Sequence, residues 1–517
     1  MIVALLWFYT SYHLVIVGFS YLRQGRHPQP TLLDAARLST KPAVALLYAT
    51  CNDFQETAAQ THLQLNYPTY HLFICDDSSD SDYCARIDCF ARRHPGRVTV
   101  IRRGTRAGFK AGNINHALRM IHQDYAYFSI SDADTSLPTN YIQALLPYVA
   151  QPRVAFAQAC QASPPTAATR FAQWLSPMTD LHYRHYAAMK NRWGFVMFYG
   201  HGALLRMDAW RHVGGFPEIA TEDLAYSLRV RQLGYEGVFV KEVVCGEEFP
   251  PTYCQYRKRN EKWIKGTTEC LDRSYPAFFK SPHIPWVEKL DVLVSAGSLL
   301  LSLPFVLLLL LVGVCLPLSF TALQAQGPML RLPMSQDISL LAGLAHLRGN
   351  LFWRWDIYAL MLSMTIAPVM PAIIDLARRP LNLSRYLAAY LYTFFALQMT
   401  SALHLAAFLI TQRATFPVTG DMSTESSTQR RRNIIDWLAH SHANHRGVFV
   451  AELILGLVCA AISVQTNNIW FVALAAALLA SPLVAIWNFS ALITRAAAWA
   501  PLVMTCVIAL LIGGNLR

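Results

Sequence analysis

Apolar runs of bilayer length break up the second half of this chain. They lie near residues 290–318, 354–377, 385–411, 447–465, 468–489 and 491–514, and a further run opens the chain from about Met1 to Leu22. A transmembrane helix needs ~20 consecutive apolar residues. Backbone placed in hydrocarbon must satisfy its own N–H and C=O groups, so continuous runs of this kind have one solution, the helix. The polar stretch from about Lys41 to Pro282 is left to fold as a water-facing module. The opening run lacks a basic leader and a small-residue cleavage site, so it reads as a retained anchor, not a signal peptide.

Charge supplies the orientation. The chain carries a net charge of +12. Its cations gather beside the apolar runs, at Arg23, Arg26, Arg378, Arg379, Arg430, Arg431 and Arg432, the bias that marks cytoplasmic ends. The basic balance therefore needs no nucleic acid, and no basic, aromatic-interleaved surface is present to bind one. With the polar module in the cytosol, 290–318 leads out and 354–377 returns, which puts Arg378 and Arg379 inside. A crossing by 385–411 would carry the arginines at 430–432 outside, so that segment is expected as an amphipathic helix at the cytoplasmic interface, with a seventh span as the alternative. The expected organisation is an anchor at 1–22, a cytosolic module at 40–282, a membrane region at 283–412, a cytosolic loop and linker at 413–446, and transmembrane helices at 447–517. The 11 cysteines are scattered and odd in number, which speaks against a disulfide framework.

Within the polar module, short apolar runs alternate with helical patterns. The runs "AVALLYAT", "YHLFICDD", "RVTVIRR", "YAYFSISDAD" and "VAFAQAC" predict a mostly parallel, Rossmann-like α/β sheet with helices on both faces. Ligands of such sheets sit outside the carboxyl ends of the strands. Acids collect at those ends: Asp53, Asp76 with Asp77, and Asp132 with Asp134. Residues two apart in extended chain share a face. Paired carboxylates repel unless a cation lies between them, and Asp132 and Asp134 suit a divalent ion that also meets substrate phosphates. "KAGNIN", containing Lys110, opens a helix whose N-terminus suits oxyanions. "TED", Thr221 to Asp223, opens another helix and offers either a capped start or a carboxylate general base. In "RKRNEKWIKG", Arg259, Lys262, Trp263 and Gly266 share one helix face, where a Trp among cations could stack on a sugar ring.

This ordered set, Asp-Asp, Asp-x-Asp, Thr-Glu-Asp and an Arg-x-x-Lys-Trp block followed by apolar helices, resembles the membrane-embedded family 2 inverting glycosyltransferases, the group of cellulose, chitin and hyaluronan synthases. The likeness covers about Lys41 to Gly266 best. It implies a cytosolic α/β domain of GT-A type inserted between about six transmembrane spans, with interfacial helices. It implies that Asp76 and Asp77 contact the nucleoside of a UDP-sugar and that Lys110 lies near the donor. Asp132 and Asp134 would hold Mg²⁺ or Mn²⁺ against the diphosphate. Asp223, with Thr221 and Glu222 beside it, would deprotonate the acceptor hydroxyl. Arg259 and Lys262 would support the leaving nucleotide, and Trp263, His201 and Gly202 would meet the acceptor. Lys262 stands where the family has Arg, which exchanges a planar fork for a point charge.

The loop "FPVTGD" matches the first four positions of a Phe-x-Val-Thr-x-Lys gating loop of cellulose-type synthases, through Phe416, Val418 and Thr419. The resemblance thus implies a processive synthase in the inner (plasma) membrane that builds a β-linked polysaccharide, leaning to UDP-glucose as donor. The growing chain would be its acceptor and would pass through the enzyme's own channel to possible periplasmic or outer-membrane export partners. A single-step transferase making a glycolipid, and a synthase using UDP-N-acetylglucosamine, are the alternatives.

Overall fold

The computed structural model describes residues 2–22, 41–163, 169–310, 363–411 apart from residue 365, 443–466 and 470–514. Seven strands form one sheet: β1 (Val44–Thr50), β2 (Tyr70–Asp76), β3 (Val98–Arg102), β4 (Tyr127–Ser131), β5 (Val154–Ala162), β6 (Ala203–Arg206) and β7 (Glu236–Gly246). β1 is buried along nearly its whole length, as expected of a central parallel strand covered on both faces. Helices α1 (Ile2–Leu22), α2 (Glu56–His62), α3 (Ser81–Arg93), α4 (Phe109–Ile121), α5 (Tyr141–Val149), α6 (Arg170–Leu181), α7 (Ala188–Trp193), α8 (Met207–Val213) and α9 (Glu222–Gln232) precede or alternate with the strands. α6 runs through a π-helical turn, His182–Ala187, into α7.

The strand order is β3-β2-β1-β4-β6-β5-β7. β1 pairs in parallel with both β2 and β4, and β2 with β3. The order reverses between β1 and β4, and this switch point opens a crevice at the carboxyl ends of the strands. β6 runs antiparallel to both β4 and β5. The sheet is therefore a mixed α/β sheet, and the all-parallel part stops at β4. One apolar cluster, around Tyr48, Phe54, Phe90 and Tyr141, fills one face of the sheet. A second, around Phe128, Phe156, Phe198 and Trp210, fills the other.

A helical region follows: α10 (Tyr253–Lys280), α11 (Trp286–Gly297), α12 (Ser302–Leu310), α13 (Met370–Leu376), α14 (Pro380–Thr411), α15 (Arg446–Thr466), α16 (Trp470–Trp487) and α17 (Leu492–Gly514). Two prolines and a threonine set the start of α10. Pro250 and Pro251 end the preceding segment, and the Thr252 hydroxyl accepts the Gln255 N–H, an N-cap. Phe171 of α6 and Tyr253 of α10 pack in the same apolar cluster as Tyr392 and Phe395 of α14, Cys459 of α15 and Phe471 of α16. The α/β module and the apolar helices thus share a core.

Among the described residues two helical runs are long and apolar enough to cross a membrane: Trp286–Leu307, in which a 3-10 turn at Ser298–Leu301 joins α11 to α12, and Pro380–Thr411, which is α14. The other apolar stretches that pass among these residues, Ala367–Leu376, Phe471–Trp487 within α16 and Leu492–Val507 within α17, are shorter, so six spans are not established. The 385–411 segment also departs from expectation. It belongs to a 32-residue helix whose buried residues include Ala388, Ala389, Leu391, Tyr392 and Thr393 in near succession. Burial runs round this helix where an amphipathic helix shows a single stripe, because α6, α10, α12, α16 and α17 pack around it.

Candidate active site

The crevice is built from loops that leave β1, β2 and β4, from the start of α9 and from one face of α10. Asp132 and Asp134 sit just beyond β4. The Asp132 N–H donates to Thr135 Oγ1 at 3.1 Å, which tightens the turn. An isolated antiparallel bridge joins Ser136 to Gly246, with both N–H···O bonds at 2.9 Å. That bridge draws the end of β7, and with it Glu247 and Glu248, toward Asp134. Burial, then Asp132, Glu247 and Glu248, push the Asp134 carboxyl up to about 8.

Lys110, at the second position of α4, reaches across the crevice. Its ammonium pairs with Asp132, donates to the Gly200 carbonyl at 3.0 Å and lies 4.0 Å from Glu222. Burial raises the Asp132 carboxyl most, yet Lys110, His201 and Lys262 outweigh it and hold Asp132 below the usual range. Asp132 is thus a fixed anion and Asp134 is a carboxyl in want of positive charge. Among the described residues no group of three or more His, Cys, Asp or Glu converges into a metal cage. A two-carboxylate set still fits a hard divalent ion that takes its other ligands from phosphate and water.

Asp223 stands at the first turn of α9. Its Oδ1 accepts the Leu224 N–H at 2.7 Å. Oδ2 lies over Gly200, whose φ is +83° and where an added Cβ would come to 3.3 Å. Burial, then the neighbouring Glu222, push the Asp223 carboxyl up to about 7, against the pull of Lys110 and Lys262. A carboxylate near neutrality is suited to taking a proton at ordinary pH. Thr221 makes no side-chain cap for α9. Its hydroxyl donates to the Gly266 carbonyl of α10 at 2.8 Å, so the Thr-Glu-Asp turn is bolted to α10.

α10 brings Arg259, Lys262 and Trp263 to the same side. The Arg259 guanidinium lies 4.6 Å from the Trp263 ring centre and 4.8 Å from that of Phe249, and is 3.4 Å from Glu247. Trp263 is 41 % exposed, an apolar ring left open among charges. Lys262 acts electrostatically on both Asp132 and Asp223.

Other expected ligands are occupied by the protein itself. Asp76 is buried, pairs with Arg102 at 2.6 Å and accepts the Ser78 N–H at 2.8 Å. Both oxygens of Asp77 accept from Arg103, at 2.9 and 2.7 Å, and Arg103 also donates to the carbonyls of Ala107 and Phe109. These two acids shape the loop that leads to Lys110. His201 is buried, with Thr135 and Gln161 as hydrogen-bond partners. Gly202, with φ +66°, donates its N–H to Ile130 and accepts from Ala159. His201 and Gly202 therefore brace the join of β4, β5 and β6, because the strands on either side claim their polar groups. Phe416, Val418 and Thr419 lie outside the described residues. Sequence reading passed over Glu247 and Glu248, although "CGEEFP" is another acidic strand end of the kind that revealed the other acids. It also passed over Arg103, whose role depends on a contact 26 residues away.

The family model described as glycosyl transferase family group 2 matches residues 127–409. The chain is 25% identical over 243 residues to a probable glucomannan 4-beta-mannosyltransferase 15 of Arabidopsis thaliana, covering 45% of each chain. It is 24% identical over 212 residues to a probable glucomannan 4-beta-mannosyltransferase 7 of Oryza sativa subsp. japonica, covering 39% of this chain and 36% of that one. The matches thus take in less than half the length of these relatives. Among solved structures, it is similar to the mannosyltransferase PcManGT from Pyrobaculum calidifontis in complex with GDP-Man and Mn2+, with a TM-score of 0.46 and 20% identity, over 73% of this chain and all of that one.

Proposed function

The chain belongs to glycosyl transferase family group 2, and on that footing we propose that it is an inverting hexosyltransferase that passes a mannosyl group from a nucleoside diphosphate sugar to a hydroxyl of a β-linked glycan. The observation that carries this reading is Asp223, half-buried, pushed up to about 7 and bolted through Thr221 to the helix that bears Arg259, Lys262 and Trp263. Asp223 takes the proton of the acceptor hydroxyl as its oxygen attacks the anomeric carbon. The sugar–phosphate bond breaks on the opposite side, and the electron pair leaves on the nucleoside diphosphate. Lys110 and Lys262 offset the charge that builds on the leaving group. Trp263 offers its open face to the acceptor ring. Asp132 and Asp134 would hold Mg²⁺ or Mn²⁺, which when bound supplies positive charge to the diphosphate.

Both curated relatives are named for β-mannosyl transfer, which moves the donor from the glucosyl sugar suggested by the synthase resemblance to a mannosyl one. The catalytic module then faces the cytosol, where nucleotide sugars are made, and the apolar helices hold it at the inner membrane. Repeated transfer through a channel of its own belongs to the same proposal.

The test is turnover by the full chain in nanodiscs with Mn²⁺. GDP-[¹⁴C]mannose, UDP-[¹⁴C]glucose and UDP-N-acetyl[¹⁴C]glucosamine are supplied in parallel, and products are digested with an endo-β-mannanase or an endo-β-glucanase. Incorporation from GDP-mannose into mannanase-sensitive product is expected. Incorporation from UDP-glucose alone would overturn the mannosyl donor, and a single sugar on a lipid extractable into organic solvent would overturn the polymer.

A further inference from the structure

Behind the face of α10 that meets the crevice, the same helix carries charge into an apolar bundle. Arg257, two residues before Arg259, is fully buried. Its guanidinium donates to Glu452 at 2.8 Å, to Ser481 Oγ at 2.9 Å and to the Ala443 carbonyl at 2.6 Å, and the Phe449 ring lies 4.5 Å away. Glu452, on α15, is as deeply buried. It also accepts from Thr400 of α14 at 2.6 Å and from Ser481 of α16 at 2.8 Å. One turn along α10, Glu261 accepts from Lys265 at 2.7 Å and from the Ala443 N–H at 2.7 Å, with His404 of α14 at 3.8 Å. Asn260 donates to Ser401 of α14 at 3.1 Å.

Burying this pair is unfavourable unless every lone pair is met, and well-packed apolar residues commonly hold a fold as well or better. An ionisable side chain inside an apolar helix therefore points to a task other than stability. Apolar packing alone leaves a helix free to slip or turn by small amounts, whereas a directional, fully satisfied network has one register. α10 needs one register, because turning it by a single residue swings Lys262 and Trp263 about 100° away from Asp132 and Asp223.

We propose that Arg257 and Glu452 are positioning residues for the transfer reaction, which clamp α10 to α14, α15 and α16 and so aim Arg259, Lys262 and Trp263 into the crevice. This rests on the reading that this face of α10 serves donor and acceptor.

The test compares the full-length wild type with the double variant Arg257→Met/Glu452→Leu in nanodiscs, with GDP-mannose, Mn²⁺ and a β-manno-oligosaccharide acceptor. Thermal unfolding is followed alongside. Wild-type turnover is the first arm, and its absence with this donor and with UDP-glucose would sink the functional reading itself. Given an active wild type, the double variant is expected to unfold at the same or a higher temperature. Its kcat should fall on the order of 100-fold, the usual consequence of a misplaced group, with donor KM changed by less than about three-fold. A larger share of donor should be lost to water. A folded double variant with wild-type kcat and wild-type partition between acceptor and water overturns the proposal. If that variant does not accumulate, Thr400→Val and Ser481→Ala, which strip neutral partners from Glu452 and leave both charges, are expected to lower kcat without lowering donor KM. Wild-type kcat in both would overturn the proposal equally.

Discussion

On the proposed mechanism Asp223 is the base, and its two predicted signatures run in opposite directions. Activity needs the carboxylate, so kcat/KM should rise with pH through about 7 and level off above it. Stability runs the other way. The folded chain holds this proton from the ordinary carboxyl value of 3.8 up to about 7, so in that window it binds more protons than the unfolded chain. Stability therefore falls as pH rises from about 4 to about 7. Asp223→Asn should abolish transfer and remove this dependence, with a gain at pH 8 on the order of 1–4 kcal/mol. A pH-rate profile and thermal melts at pH 5 and pH 8 check both signs. Asp134 makes a parallel case. Its carboxyl, pushed up to about 8 by burial and by Asp132, Glu247 and Glu248, should ionise when a divalent cation supplies the missing charge. Addition of Mn²⁺ at pH 7 to the donor-bound protein should then release about one proton. Asp134→Asn should abolish that release, which titration in a weak buffer measures.

At the scale of elements, the decisive contact is the join between the Thr-Glu-Asp turn and α10. Gly266 makes it possible, since a Cβ there would stand 2.6 Å from Thr221 Cγ2. Gly266→Val should force α10 away from α9, at about 1–3 kcal/mol in stability, and lower kcat by roughly 100-fold. Gly297→Ala, where nothing lies within 4 Å, should leave activity unchanged. Measured kcat and melting temperature of the two variants decide it. The elements that carry the site were legible in the sequence to the extent that their signals are local. β1, β2 and β4 are buried on both faces, so they read as short apolar runs that end in acids. β6 escaped notice because its four residues run straight into α8, which hides the strand in a helical pattern. His201 beside two glycines looked like an offered ligand, but it is held by Thr135 in the turn after β4 and by Gln161 of β5. Arg257 and Glu452 lie 195 residues apart. Each alone resembles an ordinary charge at the edge of a helix, and only the packing brings them together.

The whole molecule is joined at a core that ignores the boundary between polar module and apolar helices. Phe171, Leu175 and Tyr253 pack with residues of α14, α15 and α16, and the Tyr253 hydroxyl meets Ser481 at 3.0 Å. Cutting the chain after residue 282 would expose this surface and leave Arg257 without Glu452, Ser481 and Ala443. Arg257 would then meet water in place of its partners, so its charge adds little to the cost, but each uncovered large apolar side chain forfeits about 1.5–3 kcal/mol. For Phe171, Leu175 and Tyr253 alone this reaches well into the ~5–15 kcal/mol by which domains of this size are stable. A fragment of residues 41–282 should therefore be insoluble or molten when made alone, although it contains Lys110, Asp132, Asp134, Asp223 and Trp263. The full chain in detergent should give a cooperative melt. Size-exclusion chromatography and near-ultraviolet circular dichroism of the two proteins test this directly. A monodisperse fragment with a fixed aromatic signal would mean that the apolar helices are an anchor only. Failure of the fragment would mean that they complete the fold from which the active site is built.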